Sequence, residues 1–68
     1  MIKVDARGLS CPQPVLATKN AIIDHPKSIE VLVDNETAKG NVKRFLTHSG
    51  YDVTFDSQDE NIIVKGQK

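Results

Sequence analysis

The sequence predicts an α/β (α+β) two-layer sandwich, a four-stranded mixed sheet with two helices on one face, in the order β-α-β-α-β-β. Three observations carry this expectation. Ile2 and Val4, and later Tyr51, Val53 and Phe55, alternate with polar residues, the period of half-buried strands. Two other segments repeat their apolar residues at three, four and seven positions, the period of helices. Each helical segment also carries the chain from one strand segment to the next. Right-handed crossovers then put both helices on the same side of the sheet.

The elements follow in order. Ile2, Lys3, Val4 and Asp5 read as a short strand, broken by Arg7-Gly8-Leu9-Ser10. After Cys11-Pro12-Gln13-Pro14, the pairs Val15/Ile22 and Leu16/Ile23 are seven apart. They are expected to share the buried face of a helix, with Thr18, Lys19, Asn20 and Asp24 mostly outside it. Proline suits the first turn, where the amide it lacks would have no intrahelical partner. His25-Pro26 ends the helix, because the residue before proline is pushed out of the α region.

Ser28–Val33 alternates and then runs apolar, as a strand inside a sheet does. Asp34-Asn35-Glu36-Thr37 are capping types, with Asn35 in the place of a cap for a second helix. Ala38, Val42, Phe45, Leu46 and Ser49 recur at helical spacing, and Gly50 stands where a left-handed C-terminal cap is expected. A third strand over 51–56, a turn at Ser57-Gln58-Asp59-Glu60 and a last strand over 61–65 complete the pattern, with Gln67-Lys68 read as a frayed tail. No linker, repeat or biased tract interrupts residues 1–68, which are read as a single domain.

Composition narrows the function. With 68 residues, folding buries only about 60% of the surface of the unfolded chain, so function is expected at the surface and not in a deep enclosed site. Lys plus Arg and Asp plus Glu balance at nine each, and Phe45, Tyr51 and Phe55 are the only aromatics. That speaks against direct nucleic-acid binding, which asks for a basic excess and stacking platforms. No apolar run is long enough for a signal peptide or a membrane span, and a cytoplasmic location is expected, where a free thiol stays reduced. A single cysteine supports neither an internal disulfide nor a zinc framework, and no metal or cofactor is expected.

Cys11 is the candidate for chemistry. Buried cysteines are often inert packing, but this one precedes a helix, between polar residues and two prolines. Unpaired amides and the positive dipole end of a helix stabilise thiolate over thiol, and the thiolate is the nucleophile. Pro12 and Pro14 each fix a backbone φ, holding that turn without a second cysteine or a metal.

The stretch Asp5-Ala6-Arg7-Gly8-Leu9-Ser10-Cys11-Pro12-Gln13-Pro14-Val15, with the β-α-β-β remainder behind it, resembles the TusA/SirA family of small sulfur carriers and their C-P-x-P motif. The likeness spans the whole chain. The second half, Val31 to Ala38 with Asn41-Val42 and Gly50-Tyr51-Asp52-Val53, looks most like the amino-terminal domain of YedF-type proteins of selenium metabolism. In those proteins a second domain follows, so the chain is read as a stand-alone relative or an excised domain. The resemblance implies a persulfide on Cys11, received from a cysteine desulfurase or another persulfide donor and passed to a downstream acceptor protein. Members that serve tRNA thiolation often carry Asp-Pro where this chain has Asp34-Asn35, which weakens transfer of that particular role.

Around Cys11, Arg7 is a candidate to stabilise the sulfur anion, and Asp5 and Gly8 are expected to shape the loop. Lys19, Lys39, Lys43 and Arg44 are either a solvated face or a cationic docking surface for an acidic partner. Asp56, Asp59 and Glu60 form an opposite, acidic pole. His25 and His48 are read as complements of helix C-termini. A reading from another class keeps the fold and makes it a non-catalytic interaction or regulatory module, with the thiol incidental.

Overall fold

A computed structural model of the chain describes residues 2–9 and 13–68. Alternation becomes strand β1 (Ile2–Asp5), and the first helical pattern becomes α1 (Gln13–Ala21). Strand β2 (Ser28–Val33), helix α2 (Glu36–His48) and strands β3 (Asp52–Gln58) and β4 (Asn61–Gln67) follow. The sheet order is β1-β2-β4-β3. β1 runs parallel to β2, whereas β4 pairs antiparallel with both β2 and β3. This is the mixed sheet the pattern predicts.

Register explains which side chains meet. Val31 of β2 stands opposite Val4 on one side and Val64 on the other, and all three face the helices. Ile29, Val31, Val33, Val64, Ala38, Val42 and Leu46 form the centre of the core with Ile22 and Tyr51. At about 25 cal/mol per Å², a fully buried aliphatic chain of this kind contributes roughly 1.5 to 3 kcal/mol. The opposite face of the sheet is polar around a small apolar centre. There Leu32 pairs with Asp5 and Ile63, while Lys65 reaches Asp56 at 3.4 Å and Glu30 at 3.9 Å.

The second helix forms where its caps predict. Asn35 is its N-cap and accepts the Ala38 amide at 2.7 Å. Gly50, with φ 92°, takes the left-handed position behind its end.

Three details depart from the expectations. The buried face of α1 runs through Pro14 and Thr18 to Ile22, while Leu16 and Ile23 are 42% and 67% exposed. Thr18 can be buried because its hydroxyl donates to the Pro14 carbonyl at 2.8 Å, leaving no unpaired polar atom. The hairpin turn is two residues, Asp59-Glu60, not four. Gln58 pairs directly with Asn61, and Asp59 takes φ 55°. Finally, the tail is tied down. Gln67 lies between Ser28 and Asp52 in the sheet, and the Lys68 amide donates to the Lys27 carbonyl at 2.8 Å.

Candidate functional site

A parallel β1–β2 pair whose strands each lead into a helix brings both strand ends and both helix N-termini to one end of the molecule. In open sheets with crossover helices, that is where ligands and chemistry collect. The β3–β4 turn reaches the same end, because Val33 at the end of β2 pairs with Ile62 at the start of β4. The loop from Ala6 to Leu9 leaves β1 here.

The loop is shaped by few, specific contacts. The buried Ala6 amide donates to the Leu32 carbonyl at 2.8 Å, extending the β1–β2 ladder by one bond. Asp5 then folds the next residue back onto itself. Its Oδ1 accepts the Arg7 amide at 3.1 Å and Arg7 Nε at 3.0 Å, and its Oδ2 accepts an Arg7 terminal nitrogen at 2.9 Å. The side-chain bonds from Arg7, with the backbone bond second, hold the Asp5 carboxyl down to about 2. The side-chain bonds to Asp5, with the charge of its carboxylate second, raise the pKa of the Arg7 guanidinium. Both side chains are about half exposed, so this pair fixes geometry more than it stabilises the fold.

Gly8 supplies the turn with φ 75°, a conformation that L side chains rarely adopt. Its amide donates to Asp34 Oδ2 at 2.8 Å, across 26 residues of sequence. The other carboxylate oxygen of Asp34 accepts Asn35 Nδ2 at 2.9 Å, and Asn35 caps α2. Asp34 is thus the bracket between the loop and the second helix. Sequence reading took Asp34 as one of a run of capping types and as part of the Asp34-Asn35 pair, with a contact to the cysteine loop left open for Asn35 and none assigned to Asp34. Its spacing from Gly8 gives no local signal, because a contact over that distance exists only once β1 and β2 have paired.

Ser10, Cys11 and Pro12 lie outside the described residues, so the expectations for Cys11 and Pro12 stand on sequence. What the structure provides is the frame on either side: Leu9, 37% exposed, and Gln13, the first residue of α1. The first turn of α1 carries no acidic residue to neutralise its positive end. Pro14 sits buried in that turn. Arg7 is engaged by Asp5 and not free-standing.

The four expected docking cations do not form one group. Lys19 lies in the last turn of α1. Lys39 pairs with Glu36 at 3.5 Å and stands 4.6 Å from the centre of the Phe55 ring, with Lys43 on the same ring at 5.9 Å. Lys43 and Arg44 line a shallow depression on α2 together with Gly40, Thr47 and His48. Phe55 holding two lysines was not foreseen. Its alternation in β3 predicts the core, yet it emerges beside α2, 41% exposed. Among the described residues no group of three or more His, Cys, Asp or Glu could hold a metal ion.

The family described as Sulfurtransferase TusA matches over residues 2–68. The chain belongs to the TusA sulfurtransferase family. It is 37% identical over 70 residues to a Methanocaldococcus jannaschii protein whose name proposes a sulfur carrier, covering 96% of this chain and 93% of that one. A Bacillus subtilis protein named in the same terms is 31% identical over 64 residues, covering 91% and 84%. The crystal structure of a SirA-like protein from Desulfitobacterium hafniense superposes with a TM-score of 0.88 at 31% identity, covering 98% of this chain and 96% of that one. The fold is therefore that of a SirA-like protein.

Proposed function

We propose that this TusA-family domain is a small sulfur carrier that holds a persulfide on Cys11 and relays its outer sulfur between partner proteins. The observation that carries the reading is the single cysteine in Cys11-Pro12-Gln13-Pro14, between a tethered loop and the acid-free first turn of α1. The chemistry is thiolate exchange. Cys11, its proton released to solvent, attacks the outer sulfur of a donor persulfide; a new S–S bond forms on Cys11 as the bond to the donor's inner sulfur breaks. The donor leaves as a thiolate. An acceptor thiolate then takes the outer sulfur in the same way and Cys11 leaves, so the relay needs no external oxidant or reductant.

A cysteine desulfurase, or another persulfidated protein, is the donor this chemistry calls for, and a protein thiol is the acceptor. Selenium in place of the outer sulfur is the variant favoured by the likeness to the YedF branch. The same reading suits the cytoplasm, where the thiol stays reduced. Among the described residues no helix is long and apolar enough to cross a membrane.

The test is intact mass after incubation with a cysteine desulfurase and cysteine. One added sulfur, about 32 Da, is expected on the native chain and absent from Cys11→Ser. An unmodified native chain with every desulfurase tried, or an adduct that survives the substitution, overturns the reading.

A further inference from the structure

Helix α2 carries a glycine that the fold does not use. Gly40 lies inside the helix, and a Cβ built on it meets nothing within 4 Å. Nor does it belong to the positive-φ glycines, which are Gly8 and Gly50. Glycine inside a helix is less favourable than alanine for reasons of chain entropy, so internal packing gives no reason for its presence. Gly40 lines a depression together with Lys43, Arg44, Thr47 and His48, whose volume is about 400 Å³.

The walls are of one sign. Among the described residues neither Lys43 nor Arg44 has a carboxylate partner, although Lys39 one turn earlier is paired with Glu36. The Thr47 hydroxyl proton is already donated to the Lys43 carbonyl, and the charged groups that face a visitor are the Lys43 ammonium and the Arg44 guanidinium. No Phe, Tyr or Trp side chain lines the surface, and Phe55 is engaged by Lys39 and Lys43. A nucleic acid would find charge here without a stacking platform. A bare glycine one turn before two cations suits the close approach of a helix backbone whose carboxylates reach Lys43 and Arg44. From Gly40 to His48 the surface runs about 12 Å, or two helical turns, away from the loop end of the molecule.

We infer that this face of α2 is a docking surface for an acidic helix of a partner protein, seated over Gly40 and held by Lys43 and Arg44. α2 starts at the end where β1 leads into the described loop residues 7–9 and runs away from it. The inference is independent of the sulfur chemistry, and its failure would leave the carrier reading untouched.

The experiment titrates the isotope-labelled full chain with a synthetic alanine-glutamate helical peptide while backbone amide shifts are recorded. Shifts centred on Gly40, Lys43, Arg44, Thr47 and His48 are expected. Affinity should fall tenfold or more in Lys43→Glu/Arg44→Glu, and at least fivefold for a peptide of equal charge broken by prolines. Gly40→Gln, which fills the depression, should weaken the peptide at least fivefold while raising the thermal midpoint by several degrees. No binding, shifts centred elsewhere, or unchanged affinity in Gly40→Gln overturns the proposal. So does a single-stranded RNA that binds this face more tightly than the peptide at equal ionic strength, which would assign it to nucleic acid. Concentration-dependent self-association through α2 without peptide would assign it to a second copy.

Discussion

The two ends of the sheet are held by different kinds of force. At the end remote from the loop, Tyr51 is 3% exposed, and its hydroxyl donates to the Pro26 carbonyl at 2.6 Å. The Lys68 amide donates a hydrogen bond to the Lys27 carbonyl, and its ammonium stands 4.7 Å from the centre of the Tyr51 ring. That end is a buried aromatic locked by long-range bonds. At the loop end, Arg7, Gly8 and Leu9 are exposed, and their described tethers are the Asp5–Arg7 pair and the Gly8–Asp34 bond. Burial opposes motion with the full cost of exposing apolar surface, whereas exposed polar tethers exchange with water at little net cost. Tyr51 and its bonds therefore lock one end, while Arg7, Gly8 and Leu9 at the other keep the exposure that the proposed relay between partner proteins requires.

This contrast can be broken from either side. The largest effect is expected at Tyr51. Tyr51→Ala should lose roughly 3 to 5 kcal/mol in urea unfolding, a large part of a small domain's stability, whereas Tyr51→Phe loses about 1 kcal/mol with the hydrogen bond alone. A milder effect follows at the loop. Asp34→Ala should cost about 0.5 to 1 kcal/mol globally. Yet it should speed hydrogen exchange at the Gly8 amide several-fold, with Tyr51-end amides unchanged, and alter the rate of Cys11 alkylation. A uniform acceleration across the domain would mean that the two ends are not independent.

The smallest effect concerns proton binding. The folded pKa of Asp5 is depressed, so its pairing with Arg7 is complete above the ordinary value of 3.8 and is lost as pH falls through about 2. In Arg7→Gln, carboxyl titration by NMR should move Asp5 up toward 3.8. Titration that stays near 2 would show that the backbone bond alone holds the carboxylate.

How legible each end was in the sequence follows from the same division. Local rules predicted α2 with its Asn35 cap and Gly50 terminus, and the alternation of β1 and β2, because caps and periodicity act over a few residues. The buried face of α1 was misread because Leu16 and Ile23 look like core, while Thr18 looks like surface until its hydroxyl is seen to bond Pro14. An internal hydrogen bond of this kind leaves no trace in hydropathy. The Asp34 bracket was illegible for another reason, being a contact between segments 26 residues apart. Cys11 was legible as a candidate from its sequence neighbours alone.

The order of strands has a consequence for synthesis. β4, the last to emerge, occupies an interior position between β2 and β3. Until residues 61–67 have left the ribosome, β2 has no neighbour on one flank and β3 has none at all, so the sheet cannot close piece by piece as the chain grows. Folding must wait for those residues, and a nascent chain stalled before them presents the apolar edge of β2 to chaperones or to other unfinished chains.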